Sequence, residues 1–296
     1  PQGDRLLIRT NQDRVPNSQR IEDNLDVTIP KNMAVESRAS TGDHDFSDLN
    51  SDIDINTGRA DVRLARIGGN VRLDVGRSGL VRAVDVKGRV ELQGRGGDVE
   101  LENIEGQVTI SGDFNGTQEF KNLAKPLHFE GTRNTDLTLQ AVPGRVSMTL
   151  GDFEAKDVVG PVRLVTRSRD IRMEQFTNSL ELDTQRGDIE LNPGKTPLAA
   201  MDVRSGAGKI ELLIPEKASF SLEATAQRGD AINDYGAPIS KEEGSRSATL
   251  RGRVGDGPTI KINSQRGWIS IRKEGNAPSE VVPNGPKDKG PKRVAM

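Results

Sequence analysis

The sequence predicts an all-β protein: a single-stranded parallel β-helix (a β-solenoid, right-handed) with about 18–19 residues per coil and two short strands per coil. Three observations predict it. The apolar motif Val62-x-Leu64-x-x-Ile67-x-Gly69-x-Val71-x-Leu73 returns as Val81, Ala83, Val86, Gly88, Val90 and Leu92, and again as Val99, Leu101, Ile104, Gly106, Val108 and Ile110. A fixed period of about 20 residues marks stacked small units rather than one central core. Within each unit the apolar residues alternate at i, i+2, as half-buried strands do, and Gly, Asp and Asn interrupt them too often for a helical stripe. Hydrophobic residues at 33% and aromatics at 3% are a thin supply for a globular core of 296 residues, but enough for the narrow apolar column of a solenoid. A β-propeller would need blades of about 40 residues, and the motif recurs at half that length.

Residues 1–35 precede the array as N-terminal strands or a cap. Arg5–Thr10 and Leu25–Ile29 read as short strands, joined by a loop at Pro16-Asn17-Ser18. An open solenoid end needs cover, because it exposes apolar residues and unpaired backbone groups. The β-solenoid then occupies residues 36–273, starting near Ser40–Asp43 and regular from about 46 to 192. Its later coils carry Phe120, Leu123, Leu127 and Phe129; then Leu137, Leu139, Val142, Val146 and Met148; then Phe153, Val158, Val162 and Leu164. Ile171, Met173, Phe176, Leu180 and Leu182 follow, and then Ile189 and Leu191. From Pro193 the coils become irregular, with an excursion or hairpin at 231–258, before Ile260-x-Ile262 and Trp268–Ile271 supply a closing pair of strands. Residues 274–296, rich in Pro, Gly, Asn and Lys, predict a disordered tail.

The charge balance, 42 basic against 44 acidic residues for a net −2, gives no broad footprint for nucleic acid. No cysteine is present, so disulfides and thiolate metal sites are excluded. No apolar run is long enough for a spanning helix, so no segment predicts a membrane span. The chain begins with Pro1, and a native N-terminus, with any signal peptide or anchor, is expected to precede it.

The most repeated polar element is Gly-Asp before a strand, at Gly42-Asp43, Gly97-Asp98, Gly151-Asp152, Gly187-Asp188 and Gly229-Asp230, with Arg169-Asp170 as a variant. A calcium ladder would need a denser supply of carboxylates. Turn chemistry explains the pairs more simply: a positive φ at Gly and an Asx-turn closed by Asp. Outward strand positions carry charge, Arg63, Arg82, Glu100 and Glu119 in one column and Arg72, Glu91 and Thr109 in another. Stacked in register, Arg72–Glu91 and Arg82–Glu100 would be exposed pairs worth about 0–1 kcal/mol each. His44 and His128 lie some four coils apart and share no relay, and no nucleophile elbow, P-loop or dinucleotide fingerprint is present. No catalytic, cofactor-binding or metal residue is therefore predicted.

The repeated Gly-Asp-Val-x-Leu strands, the segment Val27–Asn32 followed by Thr41–Asp43, and the terminal segments Gly257–Ile262 and Gln265–Lys273 resemble the bacterial adhesin-like, toast-rack family of domains of unknown function, over roughly residues 25–273. Trp268 departs from it, standing where the family usually has Asp after Gly. The resemblance implies a β-solenoid with no known catalytic residues, frequently in a cell-envelope setting. The expected function is that of a non-catalytic structural or interaction protein outside the cytoplasm, whose partner is an envelope polysaccharide or another protein, with no cofactor. Two alternatives stand beside it: a self-assembling bactofilin-like scaffold, and a β-helix polysaccharide lyase or hydrolase whose carboxylates meet in space rather than in sequence. Any site is expected where the period fails, around residues 193–268.

Overall fold

The computed structural model describes residues 7–8, 24–131 and 135–276. The chain divides into two units, residues 1–30 and 31–296. In the first, the described residues carry no strand, so the strand expected at Leu25–Ile29 does not form. Leu25 and Val27 are 60% and 40% exposed, and alternation without a face to bury gives a strand no stabilisation. The strand expected at Arg5–Thr10 lies, apart from Leu7 and Ile8, outside the described residues, as does the end of the expected tail beyond residue 276.

The second unit is the solenoid, all β, built of two sheets. Sheet A stacks Val35–Thr41, Ile53–Arg59, residues 71–77 and 90–96, Val108–Phe114 and Leu127–Gly131, each parallel to the last. Sheet B stacks His44–Leu49, Val62–Ile67, residues 81–86 and 99–104, and Gln118–Leu123, also parallel. The chain alternates between the sheets, so each coil adds one rung to both. Inward residues are the predicted ones: Val62, Leu64, Ile67, Val71, Leu73, Val99 and Leu101 are each at most 2% exposed. Among these parallel rungs, two coils do not break between sheets at all; Val71–Val86 and Val90–Ile104 are single strands that bend through the corner.

The glycine of the Ile-x-Gly-x-Val motif turns the chain from sheet B back to sheet A. A Cβ on Gly88 or Gly106 would run into the carbonyl of Gly69 or Gly88 in the preceding coil. The left-handed backbone of this corner falls elsewhere, on the residue before the inward Ile, Val, Leu or Phe. Asp48, Arg66, Asp85, Asn103, Asn122, Asp157 and Gln175 all take φ between 51° and 60° there. Asn and Asp enter that conformation at less cost than other non-glycine residues.

The rhythm of alternation continues past Leu127, but its direction does not. Thr135–Met148 runs antiparallel, facing Leu127–Gly131 in sheet A and Gln118–Leu123 in sheet B. A second reversal follows, and Asp152–Ser168 runs antiparallel to it through both sheets, restoring the original direction. The coil predicted at Leu137–Met148 is thus one reversed rung. Inward and outward residues alternate identically in both directions, so Leu137, Leu139, Val142, Val146 and Met148 are fully buried as a forward coil would bury them.

The C-terminal coils are stacked out of chain order. In sheet A, Met201–Ser205 pairs with Thr259–Ser264, which pairs in turn with Phe220–Ala226. In sheet B, Ile210–Ile214 pairs with Ile269–Lys273, which pairs with Ala231–Asp234. The last coil in sequence therefore sits inside the stack, one rung before the end. The expected closing strands do not close the solenoid. The excursion does: Ser240–Glu243 and Ala248–Val254 form an antiparallel hairpin laid on Phe220–Ala226, and Tyr235 meets buried Phe220 edge-on at 5.3 Å. A column of buried hydroxyl residues, Thr166, Thr184, Ser205 and Ser264, runs through this region in unbroken register.

Candidate functional site

The two corners of the coil differ chemically. At the sheet-A-to-sheet-B corner, Asp side chains reach from one coil to the next rather than closing their own turn. Oδ1 of Asp43 accepts the Asp61 amide (2.9 Å), and Oδ1 of Asp61 accepts those of Gly79 and Leu80 (2.9 Å each). Asp98 accepts from Thr117 (2.7 Å), Asp170 from Asp188 (2.8 Å) and Asp188 from Lys209 (2.7 Å). The Asx-turn reading is corrected for Asp43, Asp98, Asp170 and Asp188, which serve the next coil's amide, whereas Asp230 bonds locally, accepting the amide of Ala231 (2.7 Å). Only part of the glycine reading stands, since Gly42 and Gly187 have positive φ while Gly97, Gly151 and Gly229 do not. At the opposite corner the left-handed residues bond to one another. Asn103 donates to Asp85 (2.8 Å) and Asn122 to Asn103 (3.0 Å), while Arg66 grips Asp48 through two bonds of 2.7 and 2.8 Å. The Arg66 guanidinium holds the Asp48 carboxyl at about 2, below its ordinary 3.8.

The Asp column ends at Lys209 and Trp268. Lys209 Nζ lies 5.0 Å from the centre of the Trp268 ring, so a cation–π contact takes the place of a carboxylate–amide bond at this corner. The departure at Trp268 is thus matched by a departure at Lys209 in the neighbouring rung.

The outward columns stack in the expected register, Arg63, Arg82, Glu100 and Glu119 in sheet B and Arg72, Glu91 and Thr109 in sheet A. Arg82 meets Glu100 at 3.4 Å, whereas Glu91 takes Arg89 of its own coil at 3.4 Å. His44 is buried beside Phe46 in sheet B, while His128 lies on sheet A within 3.3 Å of the Thr138 hydroxyl. Among the described residues, no group of three or more His, Asp or Glu is arranged to hold a metal ion.

Among the described residues, two of the concavities in the outer faces are of about 280 Å³ or more. The larger, about 520 Å³, lies where successive sheet-A strands begin. Pro161, Ser179, Ala200 and Thr259 form its corner side, and Arg163, Glu181, Asp202 and Lys261 project along it, with Thr138 of the reversed rung at one end. These four charged residues are register neighbours on consecutive rungs, about 4.8 Å apart. Arg163 is tied to Asp136 (2.8 Å) and Glu181 (3.6 Å), and Asp202 to Arg204 (2.7 Å). Lys261 is exposed and has no ion pair among the described residues. The smaller, about 280 Å³, lies on sheet B among Asp152, Glu154, Asp170, Arg172, Asp188, Glu190, Lys209 and Glu211. Four of its six carboxylates are engaged: Asp170 and Asp188 in the amide column, Glu190 beside Arg172 (4.0 Å), and Glu211 with Lys209 (2.5 Å) and Arg272 (2.8 Å).

Sequence reasoning placed any site at 193–268. The larger concavity takes Ala200–Asp202, Thr259 and Lys261 from that stretch, but also Thr138, Pro161–Arg163 and Ser179–Glu181 from the coils before it. The coils at 161–163, 179–181 and 200–202 stack in chain order, and the reversed rung and the displaced last coil add Thr138 at one end and Thr259 and Lys261 at the other.

Two stacked sheets, inward aliphatic columns and turn-to-turn side-chain ladders define a β-solenoid repeat protein. The Toastrack family model DUF4097 matches residues 6–272, and the chain belongs to that family, a domain of unknown function. No curated protein and no solved structure matches the chain. Among the described residues no helix is long and apolar enough to cross a membrane.

Proposed function

We propose that this protein is a non-catalytic, extracytoplasmic interaction protein of the bacterial envelope that binds a hydroxyl-rich polymer, an envelope polysaccharide, along the sheet-A groove. The observation that carries the reading is the row Arg163, Glu181, Asp202 and Lys261, one side chain per rung beside a concavity of about 520 Å³. Charged donors and acceptors of both signs, spaced by the inter-strand repeat, suit a chain of repeating hydroxyls better than a compact small molecule. Family membership and the adhesin-like resemblance support a binding role. A hydrolase would require an acid and a base free to exchange protons. Four of the six carboxylates in the sheet-B concavity instead hold backbone amides or cations.

The test is binding of purified envelope polysaccharides to the immobilised protein. Lys261→Glu and Arg163→Glu are expected to weaken retention by about tenfold or more, roughly 1.4 kcal/mol. The same charge reversal at Arg82, outside the groove, is expected to leave it unchanged. Equal retention of all variants would contradict the groove, and release of unsaturated or reducing ends would restore the enzyme alternative.

A further inference from the structure

The two ends of the solenoid are finished differently. At the C-terminal end the hairpin of Ser240–Glu243 and Ala248–Val254 extends sheet A beyond Phe220–Ala226, and its outermost strand, Ser-Lys-Glu-Glu, is exposed and charged. Such an edge repels further strands. At the N-terminal end the first rung is Val35–Thr41 in sheet A and His44–Leu49 in sheet B. Among the described residues each has a strand partner on one side only, Ile53–Arg59 and Val62–Ile67 respectively. Its inward side chains Val35, Ala39 and Phe46 remain half-exposed, although His44 and Leu49 are buried, whereas Ile53, Ile55 and Leu64 one rung in are at most 2% exposed.

That first strand is self-complementary about inward-facing Ser37: Glu36 and Arg38 flank it on the outer face, both exposed and 2.6 Å apart. An antiparallel pairing of two copies centred on Ser37 sets Glu36 of each copy opposite Arg38 of the other, and Val35 opposite Ala39. Opposite charges directly across an antiparallel pair stabilise it, and like charges destabilise it. One two-fold axis serves both sheets, since it also sets the two His44–Leu49 strands antiparallel, with Phe46 of each covering the other rung. The array already contains an antiparallel rung spanning both sheets, Thr135–Met148, so this geometry is one the solenoid accommodates.

We propose that the N-terminal end is a homodimerisation surface: two copies join head to head through antiparallel pairing of Val35–Thr41, centred on Ser37. The capped C-terminal end stops the assembly at two, which separates it from an open filament. The surface is independent of the sheet-A groove.

Sedimentation equilibrium of the full chain over a micromolar concentration range tests this. The wild-type protein is expected to dimerise with concentration. Glu36→Arg and Arg38→Glu each set like charges opposite one another twice, and each is expected to raise the dimer dissociation constant by about tenfold or more. The double variant Glu36→Arg/Arg38→Glu restores complementarity and is expected to return to within about threefold of wild type. Both side chains are exposed, so circular-dichroism melting is expected to coincide for all four proteins at concentrations where each is monomeric, dimerisation itself raising the melting point above that range. A wild-type monomer at every concentration would overturn the proposal, as would growth beyond the dimer, single variants that dimerise like wild type, or a double variant no better than the singles. Polysaccharide retention, measured on the same proteins, is expected not to change, so failure here and failure of the groove reading are told apart.

Discussion

Residues 35–131 and residues 135–273 are built from the same alternating strands, yet the first stretch stacks in chain order and the second does not. In the first, each rung pairs with the next coil of the chain, always parallel. In the second, one rung is reversed and the last coil is inserted beneath its predecessor. Inward burial is equally complete in both: Leu101 is 1% exposed and Ile262 is 0%. The core therefore depends on alternation alone, while the outer surface depends on which rungs are neighbours. The regular stretch yields flat ladders of paired charge; the reordered one yields the larger groove.

The largest expected effects probe the core that the two stretches share. Leu101→Asp places an unpaired charge in the apolar column and is expected to cost about 3–5 kcal/mol, opening several coils of the regular stretch. Ile262→Asp is expected to cost as much but to open residues 201–273 while residues 35–131 keep their protection. Amide hydrogen exchange read by segment distinguishes the two patterns. Glu100→Gln, on the outward side of the same strand, is expected to stay within about 0.5 kcal/mol of wild type. Equal tolerance at positions 100 and 101 would break the assigned alternation.

Next come the corners. Gly106→Ala sets a Cβ against the Gly88 carbonyl and is expected to lower stability by about 2–3 kcal/mol in denaturant melts. Asp188→Ala removes the acceptor of the Lys209 amide, at an expected cost of about 1–2 kcal/mol. An unchanged melt would mean that amide finds another partner at no cost. The smallest effect is acidic. Arg66 holds the Asp48 carboxyl at about 2, below its ordinary 3.8. A depressed folded-state value means that the contribution is present above the ordinary value and is lost as pH falls from there through about 2. Asp48→Asn is expected to flatten the stability–pH curve in that window, lying below wild type near neutrality and converging with it as the pH falls through about 2.

Much of this was legible in the residues themselves. Val62, Leu64 and Ile67 announce strand, face and period, and Arg82 stacks on Glu100 as the period requires. Direction and order were not legible, because Leu137-x-Leu139 buries the same faces whichever way it runs, and Ile260-x-Ile262 fits beside either Met201–Ser205 or Phe220–Ala226. The left-handed corner was overlooked although it has a signal: Asp48, Asp85, Asn103 and Asn122 recur immediately before the inward residue. The coil-to-coil reach of Asp43 and Asp188 could not be separated from a local turn by spacing alone. The groove depends on rung order and so had no sequence signature beyond the broken period.

Rung order is also the claim most open to direct measurement, since the protein has no cysteine of its own. Lys261 lies in register between Asp202 and Glu223. Adjacent positions in a parallel sheet, about 4.8 Å apart, suit a disulfide, whereas positions two rungs apart, roughly 9–10 Å, exceed its reach. Under mild oxidation Asp202→Cys/Lys261→Cys and Glu223→Cys/Lys261→Cys are each expected to form an intramolecular disulfide in high yield, and Asp202→Cys/Glu223→Cys to form none. Efficient cross-linking of positions 202 and 223, with loss of the 202–261 bridge, would place the coils in chain order and contradict the account.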